Sequence, residues 1–600
     1  MNTSDNRQEF VSYKPDELFG PKEHFSSWNQ SDKWRIVPYR TESFEGNLLS
    51  CNNGTPPDIT YDPRLTGWYK IYLLAPGNSV LLMKLTSDPA YLGVAAASKR
   101  MDTMEEFLWR CADMTGQSIS INRLLLDGTD PIHSMLGGLR LVPMTQEEVA
   151  QWKYEETRTD TKRIYATDDM HNRLFYMNHL TQADWLPSVL NYCHSDVEWI
   201  SLEQIRNFVS QRLATDNIDE FSFPRPGDKL VQKNFPKFNY QKVLEDCVRV
   251  GHENGFKMSL SLRMGAWGMG FPFDQCYFDC DFSQNHPEFK TVDRNGDPIC
   301  AMSYAYPEVQ DFMVSELVNM AETGCDAVTL IGHRGIPYVL FEKPVADRFY
   351  EMYGEYPYEL PLDEPRLHNL HCQIMTEFMR KARKALDDRF GKNKVEIHVR
   401  TSYSVFDSDY ISLDVENWAR EGLISAVITY PLRTYEKLEG DIWKDEEHTR
   451  IDLDKYSHYV HTVHDVIRHF GDFKDSPAYV NYRGKLCGPA SPKERVDQWM
   501  VLEKEYGVKV YFDIMPRHLT NEQYKSRALE LYEYGAERIS MWDTYGNRVI
   551  PKAMWSTAGR LGHKEELADM DVGEGEYYRT YKICQLAGYD ISRYNPCWGG

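Results

Sequence analysis

Residues 307–331 read PEVQDFMVSELVNMAETGCDAVTLI, and they hold the unit from which the fold follows. Pro307 suits the first turn of a helix, because its missing N–H would have no partner there, and Gly324 suits the stop. Two residues later comes AVTLI, a short β-branched run of the kind that makes a buried strand. A helix that empties directly into such a strand is half of a βαβ repeat.

The same rhythm extends in both directions. Apolar, β-rich runs occur at 163–167 (RIYAT), 197–202 (VEWISL), 257–262 (KMSLSL) and 327–331, then at 395–399 (VEIHV), 426–430 (AVITY), 508–512 (VKVYF) and 538–542 (RISMW). Helical patterns fill the gaps at 307–323, 367–390, 493–506 and 521–534. Eight strands alternating with helices predict an α/β fold, a (β/α)8 TIM barrel over residues 160–560 with long insertions after some strands. The rival is an open doubly wound sheet, but no GxGxxG or GxxxxGK[ST] turn follows any strand. A ninth run, 478–482 (AYVNY), is assigned to an insertion between the sixth and seventh strands.

Before residue 150 the pattern differs. Runs at 68–74 (WYKIYLL), 79–85 (SVLLMKL) and 118–126 (SISINRLLL) are separated by turn formers such as APGN at 75–78. This predicts an N-terminal β-sandwich or jelly roll over 1–150, either carbohydrate-binding or structural. The stretch 106–117 (EFLWRCADMTGQ) is read as leading into the third of these strands. A polar joint at 155–162 (EETRTDTK) separates the two parts, and 561–600 is expected to be an extension packed on the barrel.

Composition narrows the partners. There are 68 Lys and Arg against 90 Asp and Glu, a formal charge of −22, which repels a nucleic-acid backbone. No apolar run reaches the roughly 20 residues of a membrane span, so no membrane partner is expected. The first residues, MNTSDNRQEF, carry no basic-then-apolar signal, and the 12 cysteines form no framework, so a cytoplasmic location is expected, or a periplasmic or secreted one had a signal been trimmed. Only Cys276 and Cys280 lie close, in a CxxxC that is not read as a metal site. Aromatics are abundant, with 14 Trp and 38 Tyr, which fits either a large core or the flat faces that sugars stack on. Self-association into a homo-oligomer is left open.

In barrels of this class chemistry sits where strands finish. Those positions hold Asp168 and Asp169, Glu203, Arg263, His333 and Arg334, Arg400 after His398, Tyr430 and then Arg433, Asp513 and then Arg517, and Trp542 with Asp543. The inserted run adds Arg483. Paired carboxylates are what glycoside hydrolysis requires, one to protonate the leaving oxygen and one to attack or to activate water. The catalytic candidates are therefore Asp513, Glu342, Asp543, Glu203 and Asp168. The substrate-binding candidates are Arg263, His333, Arg334, Arg400, Tyr430, Arg483, Arg517 and Trp542. Strand-end acids also cap helices or pair with arginines, so each has a structural reading beside the catalytic one. Asp168, His333 and His398 could together hold an ion, but no HExxH or paired-His spacing supports it, and neither a metal nor a cofactor is expected. A nucleophile elbow of the GxSxG type is absent.

The chain also resembles the family-ten-like group of bacterial glycoside hydrolases over about residues 160–560. The resemblance is carried by residues 286–289 (HPEF), 293–296 (DRNG), 303–309 (SYAYPEV), 326–335 (DAVTLIGHRG), 418–427 (WAREGLISAV) and 535–543 (GAERISMWD). It implies a TIM-barrel glycosidase acting on a carbohydrate, in polysaccharide degradation. The fourth strand departs from the group's pattern, since His333-Arg334 stands where a carboxylate usually closes the strand, and Glu342 in the loop YVLFEKP is the nearest replacement. The six strand-end arginines point to an anionic sugar, such as a uronic acid or a sulfated one, because guanidinium grips such groups in a two-pronged way. The alternatives are a sugar lyase or epimerase using His333 or Tyr430 as base, and a non-catalytic carbohydrate-binding protein.

Overall fold

The computed structural model describes residues 7–51, 54–98, 100, 102–123, 133–170, 181–204, 238–265, 267, 280–332, 337–360, 364–402, 404–430, 492–514, 520–542 and 552–591. The barrel is present and closed. Its strands are β1 (Ile164–Asp168), β2 (Val197–Gln204), β3 (Lys257–Arg263), β4 (Ala327–Ile331), β5 (Glu396–Thr401), β6 (Ala426–Thr429), β7 (Lys509–Asp513) and β8 (Ile539–Trp542). Every pairing between neighbours is parallel, and β8 returns to β1 through Ile164↔Ile539 and Thr167↔Trp542. Each predicted run thus became one strand, shifted by no more than a residue or two at its ends. The run at 478–482 lies outside the described residues.

Side-chain alternation with period two divides these strands into two faces. Ala166, Ile200, Leu260, Val328, Ile397 and Val427 look outward into the large core they share with the helices. The alternate positions Tyr165, Trp199, Ala327, Ala426 and Tyr511 meet one another inside the lumen. Above this aromatic layer the lumen narrows to small hydroxyl residues, all buried: Thr167, Ser201, Ser259 and Thr329 among them. Tyr165 reaches up to Thr329 at 2.9 Å, and Ser259 bonds Thr329 at 2.6 Å.

The helices follow from their caps and apolar faces. Pro307–Ala321 starts on its proline as expected, and Gly324 takes the left-handed conformation (φ +84°) that suits it to a stop. The long helix α1 (Pro365–Phe390) begins two residues before its predicted start. The Glu364 side chain there accepts from the N–H groups of Arg366 and Leu367.

The N-terminal strands form a four-stranded sheet and eight strands of a ten-stranded one, whose other two strands come from the C-terminal segment. One buried cluster joins residues of both, Ile71, Phe107 and Leu139 from the larger and Met83, Val94 and Ile121 from the smaller. Two sequence readings change here. The stretch taken as a lead-in belongs to an eleven-residue strand, Thr103–Asp113, which pairs along its length with Trp68–Pro76. Its charged residues, Glu105, Glu106 and Arg110, interrupt the apolar pattern by which a strand is recognised. The C-terminal extension divides: Leu561 and Leu567 join the barrel core, but Tyr578–Leu586 leaves it and inserts between Thr103–Asp113 and Trp34–Thr41. Paired backbone groups on both edges hold that strand in the N-terminal sheet, which is why it does not pack on the barrel.

The joint at 155–162 is the end of an exposed helix, Gln146–Thr157, with a capping box at Thr145 and Glu148. Arg158 pairs with Asp160 and Glu566, and His563 bridges Glu155 (3.0 Å) and Asp196 (2.7 Å). None of the helices among the described residues is long and apolar enough to cross a membrane.

Candidate functional site

The strand ends place two arginine–carboxylate groups at the C-terminal mouth of the lumen. The first is built by β3, β2 and the residue after β1: Arg263 Nε donates to Glu203 Oε1, and its Nη2 lies 3.8 Å from Asp169 Oδ2. The second spans β5, β7, β8 and β1. Arg400 Nη1 donates to Asp513 Oδ2 at 3.0 Å, and Nη2 to the Thr167 hydroxyl at 2.6 Å. Ser540 donates to the same Asp513 oxygen at 3.0 Å, and the Asp513 N–H is held by the Thr429 hydroxyl at 3.3 Å. Arg400, Glu203 and Asp513 are no more than 1% exposed.

The two groups meet on β1, where Thr167 serves one and Asp169 the other, two positions apart and so on the same face of the strand. Asp168, between them, faces the other way. Its Oδ1 accepts from Ser188, in the helix Pro187–Leu190 outside the barrel, at 3.1 Å. The structure therefore separates Asp168 from the lumen and puts Asp169 in its place. A residue-by-residue count of alternation from Tyr165 would have found this, and would also have found Thr167. Ser540 carries no such signal, since a serine two residues before a strand end is unremarkable.

Glu342 also lies apart. It is fully buried in the loop just before the helix Lys343–Tyr353, and its carboxylate accepts from the N–H of Val292 at 3.2 Å and of Leu340 at 2.9 Å. Both partners belong to segments outside the barrel strands: Val292 closes a strand of the hairpin Lys290–Val292/Pro298–Met302, and Leu340 precedes Glu342 in its own loop. Burial pushes this carboxyl up to about 7, against the N–H groups that favour its charged form.

His398 points to the opposite end of the lumen from the mouth. Its Nδ1 is 3.1 Å from the Tyr165 hydroxyl and its Nε2 2.9 Å from Glu396 at the start of β5. An ion shared by Asp168 and His398 is thus ruled out by their orientations. Tyr430 follows β6 at 9% exposure, its N–H bonded to the Thr401 carbonyl at 2.9 Å. His333, Arg334, Arg433, Arg483, Arg517 and Asp543 lie outside the described residues, as do Cys276 and the side chain of Trp542.

The fold and the mouth define a closed (β/α)8 barrel with buried carboxylates and guanidinium groups converging at its strand ends. No family model matches the chain, and no curated protein does. Among solved structures it is similar to the glycoside hydrolase domain of PgaB (BpsB) from Bordetella bronchiseptica, at 9% identity and TM-score 0.36, covering 63% of this chain and 93% of that one. It is also similar to the catalytic domain of a β-amylase from Paenibacillus polymyxa, at 12% identity and TM-score 0.37, covering 68% and 99%. A third is a GH26-CBM35 β-(1,4)-mannanase from Podospora anserina, at 9% and 0.28, covering 92% and 96%. The barrel assignment rests on the strand pairing itself.

Proposed function

We propose that the chain is a glycosidase of the family-ten-like kind, with Asp513 and Glu203 as its paired carboxylates. The observation that carries this is their placement: both are buried at inward strand-end positions, on β7 and β2, and each is fixed by a guanidinium. A carboxylate held rigidly at the one face where barrels bind ligands is suited to transition-state work. The separation between the two in the working enzyme sets the outcome, about 5–5.5 Å for retention and about 6.5–9.5 Å for inversion. The two N-terminal sheets are read as a β-sandwich beside this catalytic barrel.

The test is turnover on a glycan panel by a reducing-sugar assay, with Asp513→Asn and Glu203→Gln. A true acid, base or nucleophile loses about two to four orders of magnitude on such a change. Near-normal turnover in both variants refutes the assignment.

The substrate is proposed to carry an acidic group. Arg263 and Arg400 already have carboxylate partners, so this reading rests on Arg334, Arg433, Arg483 and Arg517. Paired neutral and acidic versions of one glycan decide it, and equal activity on both overturns it. The engagement of Arg263 and Arg400 by acids also supports a second reading, a sugar-binding barrel without turnover. Tight binding of the same glycans with no product formed would establish that one.

A further inference from the structure

On the outside of the barrel, three potential metal ligands converge from two segments. His368 and Cys372 stand four residues apart near the start of α1, which puts them on one face of the helix. Asp409 reaches them from the short helix Val405–Tyr410, in the connection that follows β5. The His368 Nε2 lies 3.0 Å from Asp409 Oδ2 and 3.5 Å from Cys372 Sγ, and Sγ is 3.8 Å from Asp409 Oδ1. One ligand atom from each residue lies within 4.8 Å of the others.

We propose that His368, Cys372 and Asp409 form a binding site for a zinc-type divalent cation, clipping the start of α1 to the connection after β5.

Its geometry and its donor chemistry support it. A tetrahedral ion with a metal–sulfur bond of about 2.3 Å and metal–nitrogen or –oxygen bonds of about 2.0–2.1 Å needs donors roughly 3.3–3.6 Å apart. The contacts of 3.0 and 3.5 Å at His368 Nε2, and of 3.8 Å from Cys372 Sγ to the other Asp409 oxygen, bracket that range, and one donor atom from each residue lies within 4.8 Å of the other two. The donor set itself, one thiolate, one imidazole and one carboxylate, matches a borderline-soft ion and is unsuited to calcium or magnesium, which prefer oxygen alone.

Access and stoichiometry are consistent. Cys372 is buried, but Asp409 is half exposed and His368 partly so, which leaves a route from solvent and a fourth position for water. On binding, the Cys372 thiol gives up its proton to solvent. Before binding, His368 Nε2–H donates to the Asp409 carboxylate; on binding that proton moves to Nδ1 by way of solvent, which frees the Nε2 lone pair for the ion.

The experiment uses the full chain stripped with a chelator and titrated with Co²⁺, followed by Zn²⁺ in competition with a chromophoric chelator. The expected result is a thiolate-to-cobalt charge-transfer band saturating at about one equivalent per chain, displaced by Zn²⁺, with a rise in melting temperature. Cys372→Ser should abolish the band. Asp409→Asn, a change at a half-exposed position that the fold should tolerate, should weaken Zn²⁺ binding by about 100-fold or more, since even second-shell changes cost 10–100-fold. A band that survives in Cys372→Ser comes from another thiol and overturns the site. So does an absent band in the wild type, or unchanged affinity in Asp409→Asn.

Discussion

Glu342 offers the sharpest test of how the site is divided. Its carboxyl titrates near 7 because it is buried, against a usual carboxylate value of 4.5. A raised folded-state value means that the folded protein holds the proton more tightly than the unfolded chain. The resulting stability is fully present below about pH 4.5 and is lost as pH rises through about 7. A shift of about 2.5 units corresponds to about 3 kcal/mol, of which about 2.5 kcal/mol is lost between pH 5 and pH 8. Glu342→Gln resembles the protonated form and does not titrate. Relative to wild type, the variant should therefore gain about 2.5 kcal/mol between pH 5 and pH 8. For a barrel of about 400 residues, with an unfolding entropy of about 2.1 cal/mol/K per residue, that is about 3 °C in the barrel transition. The measurement is the difference in melting temperature between the two proteins across that pH range, in which other titrations cancel. Parallel profiles would refute the buried, titrating carboxyl. Activity adds a second reading, because a pKa near 7 would also suit a general acid. The contacts with Val292 and Leu340 lead us to expect that Glu342→Gln keeps turnover within about tenfold, and a loss of two to four orders would return Glu342 to the catalytic pair.

Arg400→Leu should cost about 3–5 kcal/mol by leaving Asp513 buried without its guanidinium, and adding Asp513→Leu should recover part of that loss in denaturant unfolding. A double variant no more stable than the single one would show that the pair is not coupled. A chain ending at residue 573 removes the strand Tyr578–Leu586 and exposes two unpaired edges in the N-terminal sheet, so it should aggregate where the full chain stays soluble. Burial opposes charge on His563, but Asp196 and Glu155 outweigh it and hold its pKa above the usual value. That contribution is present below about pH 6.5 and is lost as pH rises through the folded value. Protease cleavage within 155–162 should therefore be faster in His563→Gln than in wild type at pH 6, with the difference shrinking at pH 8.5; equal rates at pH 6 would disprove the clip.

Much of the architecture was written locally. The eight barrel strands are short apolar-rich runs between helical patterns, and a closed barrel buries such strands on both faces, so each run keeps its identity whatever its neighbours are. The strand ends were legible for the same reason, and Glu203, Arg263, Arg400 and Asp513 could be named before any pairing was known. What the sequence could not decide was direction and partnership. Asp168 and Asp169 are identical in composition and adjacent, yet one faces a helix and the other the lumen, because a pleated strand alternates and only the closed sheet defines which side is inside. The arginines read equally as grips for a ligand or as partners of strand-end acids, and tertiary packing gave Arg263 and Arg400 carboxylates from strands far away in the chain. Strand Tyr578–Leu586 joined a sheet whose members, apart from the adjoining Tyr589–Asp590, lie more than 400 residues earlier, a pairing specified by backbone hydrogen bonds and edge geometry. His368, Cys372 and Asp409 came together for the same kind of reason: the i, i+4 pair is local, while the carboxylate that completes it arrives only when the connection after β5 packs against α1.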